Sequence, residues 1–356
     1  MTASSTGPAV VALGGGHGLA AALRALRRVT DDLTAVVTVA DDGGSSGRLR
    51  RELGVLPPGD LRMALAALCG DDEWGQTWSR VAQHRFRSEG ELHDHSVGNL
   101  LIVALWELLG DSVSGLDWVA RLLGAHGRVL PMSLVPLDIE AVVELDGEPA
   151  GGDGDAGRGA RDGGEDGGGD TAGLATVRGQ VAVATTTGRV VHLGLVPEEP
   201  PACPEAVASV SAADWVVLGP GSWYTSVIPH LLVPELGRAL ATTSARRVVV
   251  LNLAPQPGET DGFAPETHLE VLASHAHASH ANGLTVDAVL ADERAVPDPA
   301  ALREAAAALG ADVHLAHLAT DADPHVHDPD RLAAAFRALF AHDRSTVDHR
   351  LPSDRI

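Results

Sequence analysis

Short apolar runs that end in glycine-rich polar loops recur along this chain, and most are followed by residues at helical spacing. Residues 10–13 form an apolar β-like run, and Gly14, Gly15, Gly16, His17 and Gly18 break it. Leu19, Leu23 and Leu26 then fall on one helical stripe, which predicts strand, tight turn, helix. Residues 33–40 predict a second strand ending in Asp41 and Asp42, followed by Gly43, Gly44, Ser45, Ser46, Gly47 and Arg48. Past Pro57 and Pro58, Asp60 is the expected N-cap of a helix through Ala64, Leu65 and Leu68, and a further helix is expected over 98–109. The rhythm resumes at Asp214 with a strand over 215–218, a loop over 219–226 and a helix over 231–240. A strand over 247–253, a polar turn over 254–260, a short strand over 286–290 and a closing helix over 330–340 complete the pattern.

Between these halves the β-like stretches 139–145, 177–184 and 189–195 predict an antiparallel insertion of hairpin type. Residues 147–173 are nearly all Gly, Asp, Glu, Ala and Arg, which cannot bury enough apolar surface to offset chain entropy. They are expected to be a disordered acidic loop that extends a hairpin rather than divides the chain, leaving residues 1–356 as one domain. The fold class is α/β with a mostly parallel sheet. In such a sheet the strand ends at Leu13, Ala40, Leu218 and Leu253 lie along one edge, where ligands bind at the point of strand-order reversal.

Composition narrows the functions available. The formal charge of −22 opposes general nucleic-acid binding, which needs a basic face to replace counterions. All 26 basic residues are arginines, so a Walker A lysine and Schiff-base chemistry are excluded by inventory. Cys69 and Cys203 have neither metal nor redox spacing. No apolar run reaches the length of a membrane span, and the first nine residues lack a signal core, so a cytoplasmic location is expected.

Candidate chemistry collects in the loops. Gly14, Gly15, Gly16, His17 and Gly18 can present backbone N–H groups and a helix N-terminus to an anion, although this loop does not carry the GxGxxG dinucleotide fingerprint. Asp41, Asp42 and Asp60 can hold a ribose or Mg²⁺ or act as a base, and they are the catalytic candidates if there is turnover. Ser45 and Ser46 offer hydroxyls and Arg48 a bidentate partner for phosphate, while Asn99 at a helix start offers an amide. Gly219, Gly221, Ser222, Tyr224, Thr225 and Ser226 concentrate further donors, with the Tyr224 ring available either to stack on a base or to pack in the core. Ser222 lies in no GxSxG elbow, the side chains His93, Asp94 and His95 lack zinc spacing, and the histidines from His268 to His280 are expected to face solvent.

The segments GGGHGL, TVADDGGSSGRLRRELGVLPPGDLRMAL, HSVGNLLI, GPGSWYTSVIP and NLAPQPGET resemble, in order, those of the bacterial gluconeogenesis factors, the YvcK-like or GlmR-like relatives of 2-phospho-L-lactate transferase. The resemblance spans residues 14–260 and implies a Rossmann-like, doubly wound sheet. It also implies a regulator that binds UDP-sugars such as UDP-N-acetylglucosamine or UDP-glucose and links carbon metabolism to peptidoglycan precursors and cell shape. On this reading the ligand contacts are the first glycine loop, Asp41 to Arg48, Asp60, Asn99, and the loops that contain Gly221, Asn252 and Gln256. It carries with it a protein partner in amino-sugar synthesis, a homo-oligomer, and no cofactor beyond Mg²⁺. His17 and Ala254 stand where the family usually has threonine, and Val326 stands where it often has arginine before a His-Asp pair. The alternatives are a transferase of nucleotidyl or phosphate-bearing groups and a dinucleotide binder.

Overall fold

The computed structural model of the chain describes residues 7–144, 173–186 and 188–348. Seven strands form one parallel sheet: β1 (Val10–Gly14), β2 (Leu33–Val37), β3 (Arg128–Pro131), β7 (Trp215–Leu218), β8 (Arg246–Val250), β9 (Ala288–Asp292) and β10 (Asp312–Ala316). Their order across the sheet is β10-β9-β8-β7-β1-β2-β3. The chain winds outward from β1 to β3, returns to place β7 on the other side of β1, and winds outward again to β10. Strand order therefore reverses between β1 and β7, with Leu13 registered against Val36 on one side and Leu218 on the other.

These strands read as unbroken apolar runs because both sheet faces are covered, and every residue of β1, β7 and β9 is buried. Helix α1 (Gly16–Leu26) lays its predicted stripe, Leu19, Leu23 and Leu26, into the core. Truncating one such leucine to alanine removes about 2–5 kcal/mol of stability. Helices α2 (Gly44–Leu53), α3 (Gly59–Ala67), α4 (Glu73–Gln83), α5 (Val97–Leu109) and α6 (Ser112–Leu123) separate β2 from β3.

The expected antiparallel insertion is a three-stranded sheet of β4 (Asp138–Glu144), β5 (Leu174–Arg178) and β6 (Arg189–Val196), in the order β5-β4-β6. Ile139, Ala141 and Val143 alternate inward along β4. The loop expected at 147–173 lies outside the described residues apart from Gly173. The stretch 177–184 is not one strand. Gly179 turns with φ 101°, and Gln180–Ala184 becomes a short helix, α7. Likewise the helix expected over 231–240 is two pieces, Pro229–Leu232 and Pro234–Thr242, because Pro234 starts a new helix.

Candidate functional site

Since β1, β2, β7 and β8 are parallel, the four predicted loops do emerge on one edge of the sheet. The first and third meet directly. A β-carbon on Gly18 would stand 2.0 Å from the Pro220 carbonyl oxygen, so only glycine lets the start of α1 touch the loop after β7. One on Gly15 would stand 2.6 Å from Asp60 Oδ2 and 3.0 Å from Ser226 Oγ. The first loop, the start of α3 and the β7 loop thus share one crevice floor at the reversal point.

Asp60 is buried inside the first turn of α3 and is not its N-cap, a position held by Pro58. Its carboxylate instead accepts from the Gly16 N–H, while Oδ2 and the nearby Thr38 hydroxyl have no hydrogen-bond partner among the described residues. Burial, then the Asp41 charge, push its pKa up to about 7 against the opposing pull of Gly16 and Arg62. Asp41 is raised as well, chiefly by burial, although Gly43 N–H donates to it at 2.9 Å. Arg62 is the buried cation beside them, and burial pulls its pKa down to about 10.

Behind this floor the predicted hydroxyls form a network. Ser45 Oγ accepts from Asn99 Nδ2 at 3.1 Å and meets His95 Nδ1 at 3.1 Å. Asn99 Oδ1 accepts from Arg62 Nε at 2.9 Å, and Ser46 Oγ accepts from the Gly59 N–H at 3.0 Å. Ser45, Ser46 and Asn99 are fully buried, so they hold α2, α3 and α5 together and support Arg62. Two predicted contacts point elsewhere. Arg48 donates to the His93 carbonyl at 2.7 Å, and Asp42 accepts from the Val181 N–H at 3.1 Å, anchoring α7. His17 is exposed at the rim.

The loop after β7 is clamped by Asn252, whose side chain accepts from Gly221 N–H at 2.7 Å and donates to its carbonyl at 2.8 Å. Gly221 itself sits at φ 138°, which a side chain would resist. Gly219 continues β7 by donating to the Leu13 carbonyl at 3.0 Å. A single turn with i→i+5 hydrogen bonding, Trp223–Val227, follows. Its donors are already engaged: Glu259 Oε1 accepts from Tyr224 N–H at 2.6 Å, Ser222 Oγ at 2.7 Å and Thr225 N–H at 3.2 Å. Burial nevertheless raises the Glu259 pKa. Gln180 of α7 reaches Thr225 Oγ1 at 3.5 Å, and the Gln256 N–H donates to Thr260 Oγ1 at 2.8 Å, shaping the turn that presents Glu259. Glu259 was missed because its letters, GET after a proline turn, read as solvated.

One open ring assignment is decided and another changes. Tyr224 is buried against Phe263 and His275, so its ring is a core group and not a stacking platform. His268 is buried edge-on to Trp223, with its ring held below its ordinary pKa by burial. Near the chain end Asp328 caps the closing helix Pro329–Asp348, accepting from Asp330 and Arg331 N–H groups at 2.9 and 3.1 Å. Among the described residues no group of three His, Cys, Asp or Glu is placed to hold a metal. Buried Asp60 and half-buried Asp41 remain as a pair of neighbouring carboxylates. That suits an octahedral Mg²⁺ arriving with a phosphate ligand, since such ions commonly take one or two carboxylates plus phosphate oxygens. Asp42, turned to α7, does not join them.

The family model described as 2-phospho-L-lactate transferase CofD matches residues 10–335, a span that contains every strand of the seven-stranded sheet. The chain belongs to the CofD family. A Mycobacterium tuberculosis protein named as a gluconeogenesis factor is 51% identical over 338 residues, covering 94% of this chain and 91% of the relative. The Bacillus subtilis gluconeogenesis factor is 33% identical over 291 residues, covering 82% of this chain and 80% of its own length. Among solved structures, a Bacillus halodurans protein superimposes with a TM-score of 0.75 at 30% identity, covering 93% of this chain and 99% of that one. The resemblance carried by the loop motifs therefore extends to the entire CofD-like sheet. Among the described residues no helix is long and apolar enough to cross a membrane.

Proposed function

We propose that the crevice between the β1 and β7 loops binds a UDP-sugar, UDP-N-acetylglucosamine or UDP-glucose, and that the cytoplasmic protein acts as a regulator coupling carbon metabolism to peptidoglycan precursor supply and cell shape. The observation that supports this most is the Gly18–Pro220 contact. It joins two donor-bearing loops at the strand-order reversal, where α/β sheets receive ligands. The diphosphate meets the Gly15–Gly16 end of α1, and because Asp41 and Asp60 stand beneath it, either Mg²⁺ or a proton on Asp60 offsets the repulsion. Regulation without turnover accords with the hydroxyls nearby: Ser45 is buried in its network and Ser222 is already bound to Glu259. A protein partner in amino-sugar synthesis and a homo-oligomer belong to the same reading. Calorimetry with UDP-N-acetylglucosamine and UDP-glucose, with and without Mg²⁺, tests it. Saturable heat and a thermal shift are expected, and no response to either sugar nucleotide would reject the proposal.

Asp60 favours one second reading, a transferase of phosphorus-containing groups. A carboxyl with a pKa near 7 is suited to proton transfer at neutral pH. Product formation from nucleotide substrates and Mg²⁺ that disappears in Asp60→Asn, with binding retained, would establish turnover over regulation.

A further inference from the structure

A second concave site lies at the opposite end of the helices that build the crevice. Helix α1 begins at the crevice with Gly16 and ends with Arg24, Arg27 and Arg28 around its last turn. The eight helical rises from Gly16 to Arg24 span roughly 12 Å. Helix α3 runs alongside, from Asp60 at the crevice to Ala66 and Ala67 at the far end. There Arg80, from the last turn of α4, joins Arg24 of α1 and the Arg27 and Arg28 that follow it around a cavity of about 290 Å³.

Its charge is unlike the rest of the molecule. Four guanidinium groups line it against a single carboxylate, Asp71, in a chain whose formal charge is −22. Asp71 is mostly exposed and is committed to Arg27, with Arg28 only at 4.0 Å. Arg28 also meets Asp330 at 3.4 Å outside the cavity. Among the described residues Arg24 and Arg80 have no acidic partner. Arg27 is nine-tenths buried, and its Nε–H has no acceptor. A basic residue in a helix's last turn is ordinarily placed there by the macrodipole, which accounts for Arg24 and Arg80 one at a time. It does not account for two helices directing their last turns into one hollow, nor for a buried donor left without an acceptor.

We propose that this cavity is a binding site for a small phosphomonoester, separate from the crevice and independent of what the crevice binds. The guanidinium forks of Arg24 and Arg80 match the oxygens of a phosphoryl dianion, with Arg27 and Arg28 adding positive charge to the lining. The volume admits a phosphorylated metabolite of sugar size and not a dinucleotide.

Titration calorimetry of the full chain with glycerol 2-phosphate, inorganic phosphate and citrate tests the site in the wild type and in Arg24→Ala, Arg80→Ala and Arg238→Ala. Arg238 is exposed on another helix and carries the same charge change without touching the cavity. The phosphomonoester is expected to bind the wild type and Arg238→Ala alike and at least tenfold more weakly in Arg24→Ala and Arg80→Ala. Inorganic phosphate is expected to follow the same order. Absence of binding to the wild type at millimolar concentration overturns the proposal, as does binding unchanged in both cavity variants. Citrate binding as tight as the phosphomonoester would assign the cavity to carboxylates and overturn the phosphoryl class.

Discussion

The loops after β1 and β7 face each other across the crevice and are written in similar letters, yet the carboxyls that take their backbone N–H groups are satisfied to different degrees. In the first, Gly16 N–H meets a carboxyl that burial keeps near half-protonation, and one oxygen of that carboxyl has no partner. In the second, two backbone N–H groups and a hydroxyl already converge on the Glu259 carboxylate. Glycine and hydroxyl density in a loop thus shows where donors are, but not whether they are free. A carboxylate from elsewhere in the chain can occupy an anion nest as readily as a ligand can.

The contrast is broken most severely at Gly18. Any side chain there collides with the Pro220 backbone, so Gly18→Ala must part the two loops. Displacing positioned donors by ~1 Å is expected to weaken UDP-N-acetylglucosamine binding on the order of a hundredfold, read by calorimetry, while circular dichroism remains native. Affinity equal to the wild type would mean that the two loops do not share a ligand.

Glu259→Ala tests the second loop alone. Three donors lose a charged acceptor, and the expected loss of stability is about 2–4 kcal/mol by denaturant titration. UDP is expected to raise the melting temperature of this variant more than that of the wild type, because the emptied nest becomes available to phosphate oxygens. An equal shift in both would show that ligand phosphates never approach this nest.

Asp60→Asn sharpens the first loop through pH. A carboxyl whose folded pKa is raised from 3.8 to about 7 keeps its proton in the fold after the unfolded chain has lost it. Its contribution to stability is therefore complete below pH ~4, declines as pH rises, and is lost above pH ~7, a swing of a few kcal/mol. The asparagine variant is expected to lose that decline and to be more stable than the wild type at pH 8. The diphosphate of a UDP-sugar does not titrate in this range, so wild-type affinity that falls from pH 6 to pH 8, and a flat profile in Asp60→Asn, would place Asp60 beside the ligand.

The same contrast explains what was legible in the letters. Units centred on β1, β2, β7 and β8 could be read because parallel strands covered on both faces leave unbroken apolar runs, and the turns after them need glycine. The reach of Glu259 to Tyr224, 35 residues away, could not be read, because a tertiary partner leaves no local spacing. Arg48 and Asp42 had the right chemistry in the right loop, but their directions are set by the His93 carbonyl and α7, contacts remote in sequence. His268 reads as polar but packs edge-on to Trp223, since an imidazole kept neutral by burial fills a core position.

The smallest expected effect is at His17, and it decides what the first loop uses to hold an anion. His17 is the only non-glycine side chain among residues 14–18, is exposed, and lies one residue from the Gly18 contact. If backbone N–H groups and the helix terminus hold the phosphate, His17→Ala should change stability by less than about 0.5 kcal/mol and affinity by no more than about threefold. A tenfold loss would instead make the side chain the anion's partner. The first loop would then depend on a side chain, and its likeness to the backbone nest occupied by Glu259 would end at the glycines.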